Sequence, residues 1–165
     1  MDKKYKKENK NDKDNIKRIP ASQLFEIAEE SLNDGMTVRI TVAGDSMYPF
    51  LRNITDSVEL YKESYENLKL SDIVVAKNKN GNRYILHRVY KKNGDNFYML
   101  GDGNFSPDGP YNKSDFICKV RGIYRKEKYI PCSSLRFRIL SKLWLFLKPF
   151  RKTIFNVYFK IRRKK

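Results

Sequence analysis

The chain has a single histidine and only two cysteines in 165 residues. One imidazole excludes a histidine-rich metal centre, and it gives His87 any general-base role that needs a neutral ring near pH 7. Cys118 and Cys132 have no CxxC spacing and no further thiol to complete a tetrahedral zinc site. They are expected to be reduced, partly buried thiols in a reducing compartment. No apolar run approaches the roughly 18 residues of an ordinary spanning helix, so none is expected. Met1 to Lys17 is rich in Lys, Asp and Asn and holds no apolar core of the kind a secretory signal requires. Acidic residues are also missing from 134–165, which carry eleven Lys or Arg.

That imbalance contributes to a net charge of +16. The first eighteen residues add eight basic groups against four acidic ones. Basic ends favour polyanionic partners, either a phospholipid surface or nucleic acid. The length suits one domain with tails. Residues 1–19 are too polar to offset the entropy of ordering and are expected to form a mobile basic arm.

From Pro20 to Asn33, Leu24, Ile27, Ala28, Ser31 and Leu32 recur at helical spacing, with Ala21 or Ser22 near the start and Gly35 at the end. Short β-type runs follow at Thr37–Val42, Ser57–Tyr61 and Ile73–Ala76. Asn78 to Asn82 contains Asn-Gly, a hairpin signal, which makes Tyr84–Lys91 the return strand and puts His87 in its middle. A second turn at Lys92–Asn96 leads into a strand at Asn96–Leu100. Gly101–Asn112 is expected to be an irregular loop, and Phe116–Arg125 and Lys128–Pro131 complete the strands. Leu135–Lys165 returns to helical character, with Pro149 either starting a second helix or kinking one. The expected organisation is a basic arm at 1–19, a mainly β domain with an N-terminal helix at 20–132, and a basic, aromatic helical tail at 133–165.

A strand running into Gly44-Asp45-Ser46-Met47-Tyr48-Pro49 would hold the Ser46 hydroxyl at a strand end, facing a groove. Asp45 and Ser46 could equally be plain turn formers. A serine hydroxyl attacks at neutral pH only when a nearby base takes its proton, and His87 is the sole imidazole.

The Ser46 segment, Leu70-Ser71-Asp72-Ile73-Val74-Val75, His87-Arg88-Val89 and Gly101-Asp102-Gly103-Asn104, taken in this order, resemble the signal peptidase and S24/S26 peptidase superfamily over about residues 40–125. Histidine before Arg-Val is similar to the endoplasmic-reticulum and sporulation-type signal peptidases, whereas many bacterial relatives carry lysine there. The resemblance implies a signal-peptidase/SOS-repressor-like β fold, with Ser46 as nucleophile and His87 as base. It further implies Asp108 as the acid that orients the ring, with Asp102 in reserve. Met47, Tyr48 and Pro49 would line the substrate groove, although Met47 and Tyr48 could instead pack on the sheet. Gly44 occupies the position where many relatives supply an oxyanion hydroxyl, which leaves the Ser46 N–H as the expected donor. Arg88 either anchors the loop acids or faces solvent. No metal or organic cofactor is implied.

The expected activity is therefore serine endopeptidase cleavage of a signal or leader-type peptide. A self-processing S24-type regulator and a catalytically silent, membrane-associated peptide-binding module are the alternatives. Relatives that act on secreted proteins have a spanning helix before the serine box. Here a charged arm and a polar-faced helix stand in its place, so a cytoplasmic, peripherally membrane-associated protein is expected. The aromatic and basic residues of 135–165 would meet an anionic membrane surface, or the segment would instead pack as a helix on the protein's own sheet with its basic face in solvent. Nucleic acid is a disfavoured partner, because S24 repressors carry an upstream helix-turn-helix domain and a single helix cannot supply one.

Overall fold

The computed structural model describes residues 21–78, 83–126 and 128–163. The expected arm at 1–19, Pro20 and the tip of the first hairpin lie outside them. Helix α1 (Ala21–Asn33) buries Ala28 and Leu32 against the sheet. It ends where Gly35, at φ +79°, lets Gly35 N–H donate to Leu32 O and Met36 N–H to Ser31 O. Closing the last turn in this way satisfies carbonyls that would otherwise lack partners.

The described residues form a mainly β structure with an antiparallel eight-stranded sheet and three α-helices. The strands are β1 (Val38–Thr41), β2 (Asp56–Tyr61), β3 (Ile73–Lys77), β4 (Tyr84–Asn93), β5 (Asn96–Leu100), β6 (Asp108–Asn112), β7 (Phe116–Arg125) and β8 (Lys128–Pro131). Their order is β1-β2-β7-β3-β4-β5-β6, with β8 beside β7. Strand β3 lies inside the sheet and is apolar on both faces. Ile73 and Val75 join a core with Leu32, Met47, Leu51 and Val58, while Val74 and Ala76 join a second core with Val89, Phe97 and Met99. Burial on both faces explains why β3 reads as a continuous apolar run and does not alternate.

One sequence expectation is corrected. Asp108–Asn112, assigned above to an irregular loop, is strand β6 and pairs with β5. As an edge strand, β6 tolerates Pro110, whose missing N–H would break the ladder of an inner strand.

After β8 the chain forms α2 (Leu135–Phe146) and α3 (Arg151–Arg162), separated by a short 3-10 turn at Lys148–Phe150. Of the two roles open to Pro149, separating two helices is the one realised. The Ser134 hydroxyl caps α2 by accepting from Phe137 N–H. Among the described residues no helix is long and apolar enough to cross a membrane.

Candidate active site

Strand β4 carries His87 in register with Val74 of β3, its inner neighbour. On its other side β5 pairs only from Arg88 onward, through Arg88 and Leu100. The edge of β4 at Tyr84–His87 is therefore left open. Strand β1 lies at one end of the sheet, and its outer edge is open too. Ile40–Gly44 and Tyr84–His87 line the two sides of one groove of about 550 Å³, into which Ser46, Met47 and Asp108 also face.

His87 is buried, and its Nδ1 donates to Asp108 Oδ2 at 2.6 Å. A carboxylate only accepts, so this bond places the ring hydrogen on Nδ1 and the lone pair on Nε2. Burial lowers the imidazole below its ordinary pKa, against the opposing pull of Asp108 and Asp102. A neutral ring able to take a proton is thus available at pH 7. Asp108 became reachable because β6 pairs with β5, placing Asp108 opposite Met99.

Ser46 lies beyond β1 in a turn held by two contacts. Tyr48 N–H donates to Asp45 O at 3.0 Å, and Ser46 O accepts Gly103 N–H at 2.8 Å. Gly44, at φ +91°, opens this turn, and its N–H donates to Asn53 Oδ1. Among the described residues the Ser46 N–H meets no acceptor. No hydrogen bond among them joins the Ser46 hydroxyl to His87. The two residues share the groove, and both come close to Gly101. A Cβ at Gly101 would lie 2.5 Å from Ser46 O and 2.9 Å from His87 Nε2.

Only a hydrogen fits at that point, so Gly101→Ala must push the Ser46 turn and the imidazole apart. A displacement near 1 Å at a reacting centre costs on the order of 100-fold in rate. If Ser46 is a nucleophile, Gly101→Ala is therefore expected to slow its acylation by about that factor. Because the added Cβ presses on backbone, it should also cost about 1–3 kcal/mol of stability, so the rate is compared at a temperature where both chains are folded. An unchanged acylation rate would show that the close approach has no bearing on the site.

Asp102 does not serve as the ring's acid. It is fully buried, and Arg88 Nε donates to its two carboxylate oxygens at 2.8 and 3.0 Å. Of the two roles open to Arg88, anchoring a loop acid is the one realised. Arg88 Nη1 also donates to Ser71 O and Ser141 Oγ, and the Phe50 ring lies 4.4 Å from its guanidinium carbon. The tail joins the same loop from outside. Trp144 Nε1 donates to Asp102 O, and the buried Arg151 donates through Nη1 to Gly101 O and Asn104 O. Nothing in the sequence distinguished Arg151 from the basic residues around it.

The groove assigned to Met47, Tyr48 and Pro49 retains only Met47, which is itself almost wholly buried. The Tyr48 hydroxyl donates to that of Tyr158 on α3, and Pro49 packs toward Phe137 and Leu140 of α2. Phe25, Ile40, Ile85 and Leu86 supply the apolar lining instead. They were passed over because a groove between two strand edges is a tertiary feature. Burial pushes both thiols up to about 12, which leaves Cys118 and Cys132 without nucleophilic character at neutral pH. Among the described residues no cluster of His, Cys, Asp and Glu could hold a metal ion.

No protein-family model matches this chain, and no curated protein matches it.

Proposed function

We infer that the chain is a serine endopeptidase, resembling the histidine-type members of the signal peptidase and S24/S26 superfamily in fold and mechanism, and that it cleaves a signal or leader-type peptide. The observation that carries the reading is the 2.6 Å bond between His87 and Asp108, which orients a buried neutral ring inside the groove that Ser46 also lines. Ser46 attacks the peptide carbonyl, His87 takes the hydroxyl proton and returns it to the leaving amine, and Asp108 holds the ring and stabilises its charged form. The Ser46 N–H receives the developing oxyanion. The open edges of β1 and β4 would take an extended peptide by main-chain pairing on both sides, and Ile40, Ile85 and Leu86 favour small apolar side chains between them.

The second reading is a silent peptide-binding module. It is favoured by the missing hydrogen bond between Ser46 and His87 among the described residues. A serine-directed fluorophosphonate separates the two without knowledge of the substrate. Its phosphorus bonds to an activated serine oxygen, fluoride leaves, and the hydroxyl proton passes to the base. The peptidase reading expects stoichiometric labelling of the full chain at Ser46, lost in Ser46→Ala. An unlabelled but folded chain would sink it and leave the binding module. Unlabelled Ser46→Ala mixed with active chain then tells cleavage in trans from the self-processing alternative.

A further inference from the structure

Helices α2 and α3 each present two faces with different partners. Toward the sheet, α2 turns Phe137, Ser141 and Trp144, and α3 turns Arg151 and Phe155. Away from it, Leu135, Ile139, Leu143 and Phe146 follow one another at spacings of four, four and three, which is one stripe of a helix. All four are exposed, Leu135 at 72% and Phe146 at 75%. Phe150 in the intervening turn and Val157 and Ile161 on α3 are exposed apolar side chains as well. A helix that is apolar on both faces is normally covered on both. A contiguous apolar surface of this kind marks a binding site.

Charge identifies what covers it. Arg136, Arg138 and Lys142 flank the α2 stripe, and Lys152, Lys160, Arg162 and Arg163 stand along α3, all exposed. No acidic residue lies in 134–165. A second copy would set two such cationic surfaces against each other. A nucleic acid would meet the cations but offer no hydrocarbon to the stripe. An anionic bilayer satisfies both, since acyl chains receive the leucines and phenylalanines while headgroups pair with the flanking cations. Lys69, Arg138 and Lys142 also rim a cavity of about 200 Å³ between α2 and the sheet, beside Ser71 and Ser141.

We propose that the outer faces of α2 and α3 dock the protein on an anionic phospholipid surface, lying in the plane of the interface with Leu143 and Phe146 inserted. The surface requires no catalysis, so the docking and the peptidase reading stand or fall separately.

The test is sedimentation of the full chain with vesicles of phosphatidylcholine alone or mixed with phosphatidylglycerol. The expected result is binding to the mixed vesicles that is at least about tenfold tighter than to phosphatidylcholine, and that weakens as salt shortens the reach of surface charge. Leu143→Glu with Phe146→Glu should remove at least about tenfold of that affinity, with Tm unchanged because both side chains are exposed. Arg138→Gln and Lys142→Gln should each lose about fivefold on mixed vesicles and nothing on phosphatidylcholine. Equal binding to both vesicle types, or no binding to either, overturns the proposal. So does light scattering that shows a dimer dispersed by the same glutamate pair, which would make a second copy the occupant.

Discussion

Replacing His87 with glutamine should reduce peptide cleavage by roughly 10⁴- to 10⁶-fold, since a serine without its base loses nearly all the benefit of the assembled site. The expectation follows from the ring's surroundings. Asp108 fixes the hydrogen on Nδ1, and Nε2 comes close to Gly101, as the Ser46 carbonyl also does. Asp108→Asn should cost on the order of 10⁴-fold through loss of the correct tautomer. The pH dependence provides a separate check. Burial lowers the ring's pKa from its ordinary 6.5, so the acid limb of kcat/KM should have its midpoint below that value. Asp108 opposes the lowering, so Asp108→Asn should move the limb further toward acid. Stability follows the same sign. Between the folded and unfolded pKa the unfolded chain binds more protons, so the neutral ring's contribution is complete above about pH 6.5 and is lost as pH falls through that window. A cleavage rate that survives His87→Gln within tenfold would remove His87 from the chemistry.

Removing the Asp102 carboxylate should be the most damaging single change to the fold near the site. Asp102→Ala leaves the Arg88 guanidinium buried without its counter-charge, a defect that costs about 3–5 kcal/mol. In a chain of this length that corresponds to a fall in Tm on the order of 10 °C. Arg88 is fully buried and among the described residues its Nη2 already lacks a partner, so the guanidinium has little room to find another acceptor. The loss should extend to the tail, because Trp144 bonds the Asp102 carbonyl and Arg151 bonds its neighbours. Trp144 is the only tryptophan, and its fluorescence would report that release directly. Replacing the pair together, Arg88→Met with Asp102→Leu, should recover much of the stability, since no unpaired charge remains. A melting temperature unchanged in Asp102→Ala would show that the ion pair contributes little.

The strands and helices that turn chemistry punctuates were legible in the sequence. Gly35 ends α1, Gly94 turns β4 into β5, and the alternation of β2 appears as alternating burial. Strand β6 was not legible, because Gly109-Pro110 reads as a loop and only its position at the sheet edge accommodates it. Ser46 and His87 could be singled out because a lone histidine and a serine turn are conspicuous by type, whereas Asp108 came only from the family resemblance. Arg151 and the Arg88–Asp102 pair could not, because which of many cations is buried depends on how α2 and α3 fold back. Tyr48 and Pro49 were misplaced for the same reason, since the helices that draw them away lie about a hundred residues further along the chain.

Strands β1 and β4 are separated by β2, β7 and β3 with every pairing antiparallel, so the two walls of the groove run in the same direction. Both run toward the chemistry, β1 into the Ser46 turn and β4 to His87, where β5 closes the edge. A peptide lying between them would therefore meet both walls with the same polarity, and on the peptidase reading the groove would grip residues on one side of the scissile bond. On that reading, whatever is attached beyond the cut could be long, bulky or already folded, and selectivity would reside in a short segment of one product.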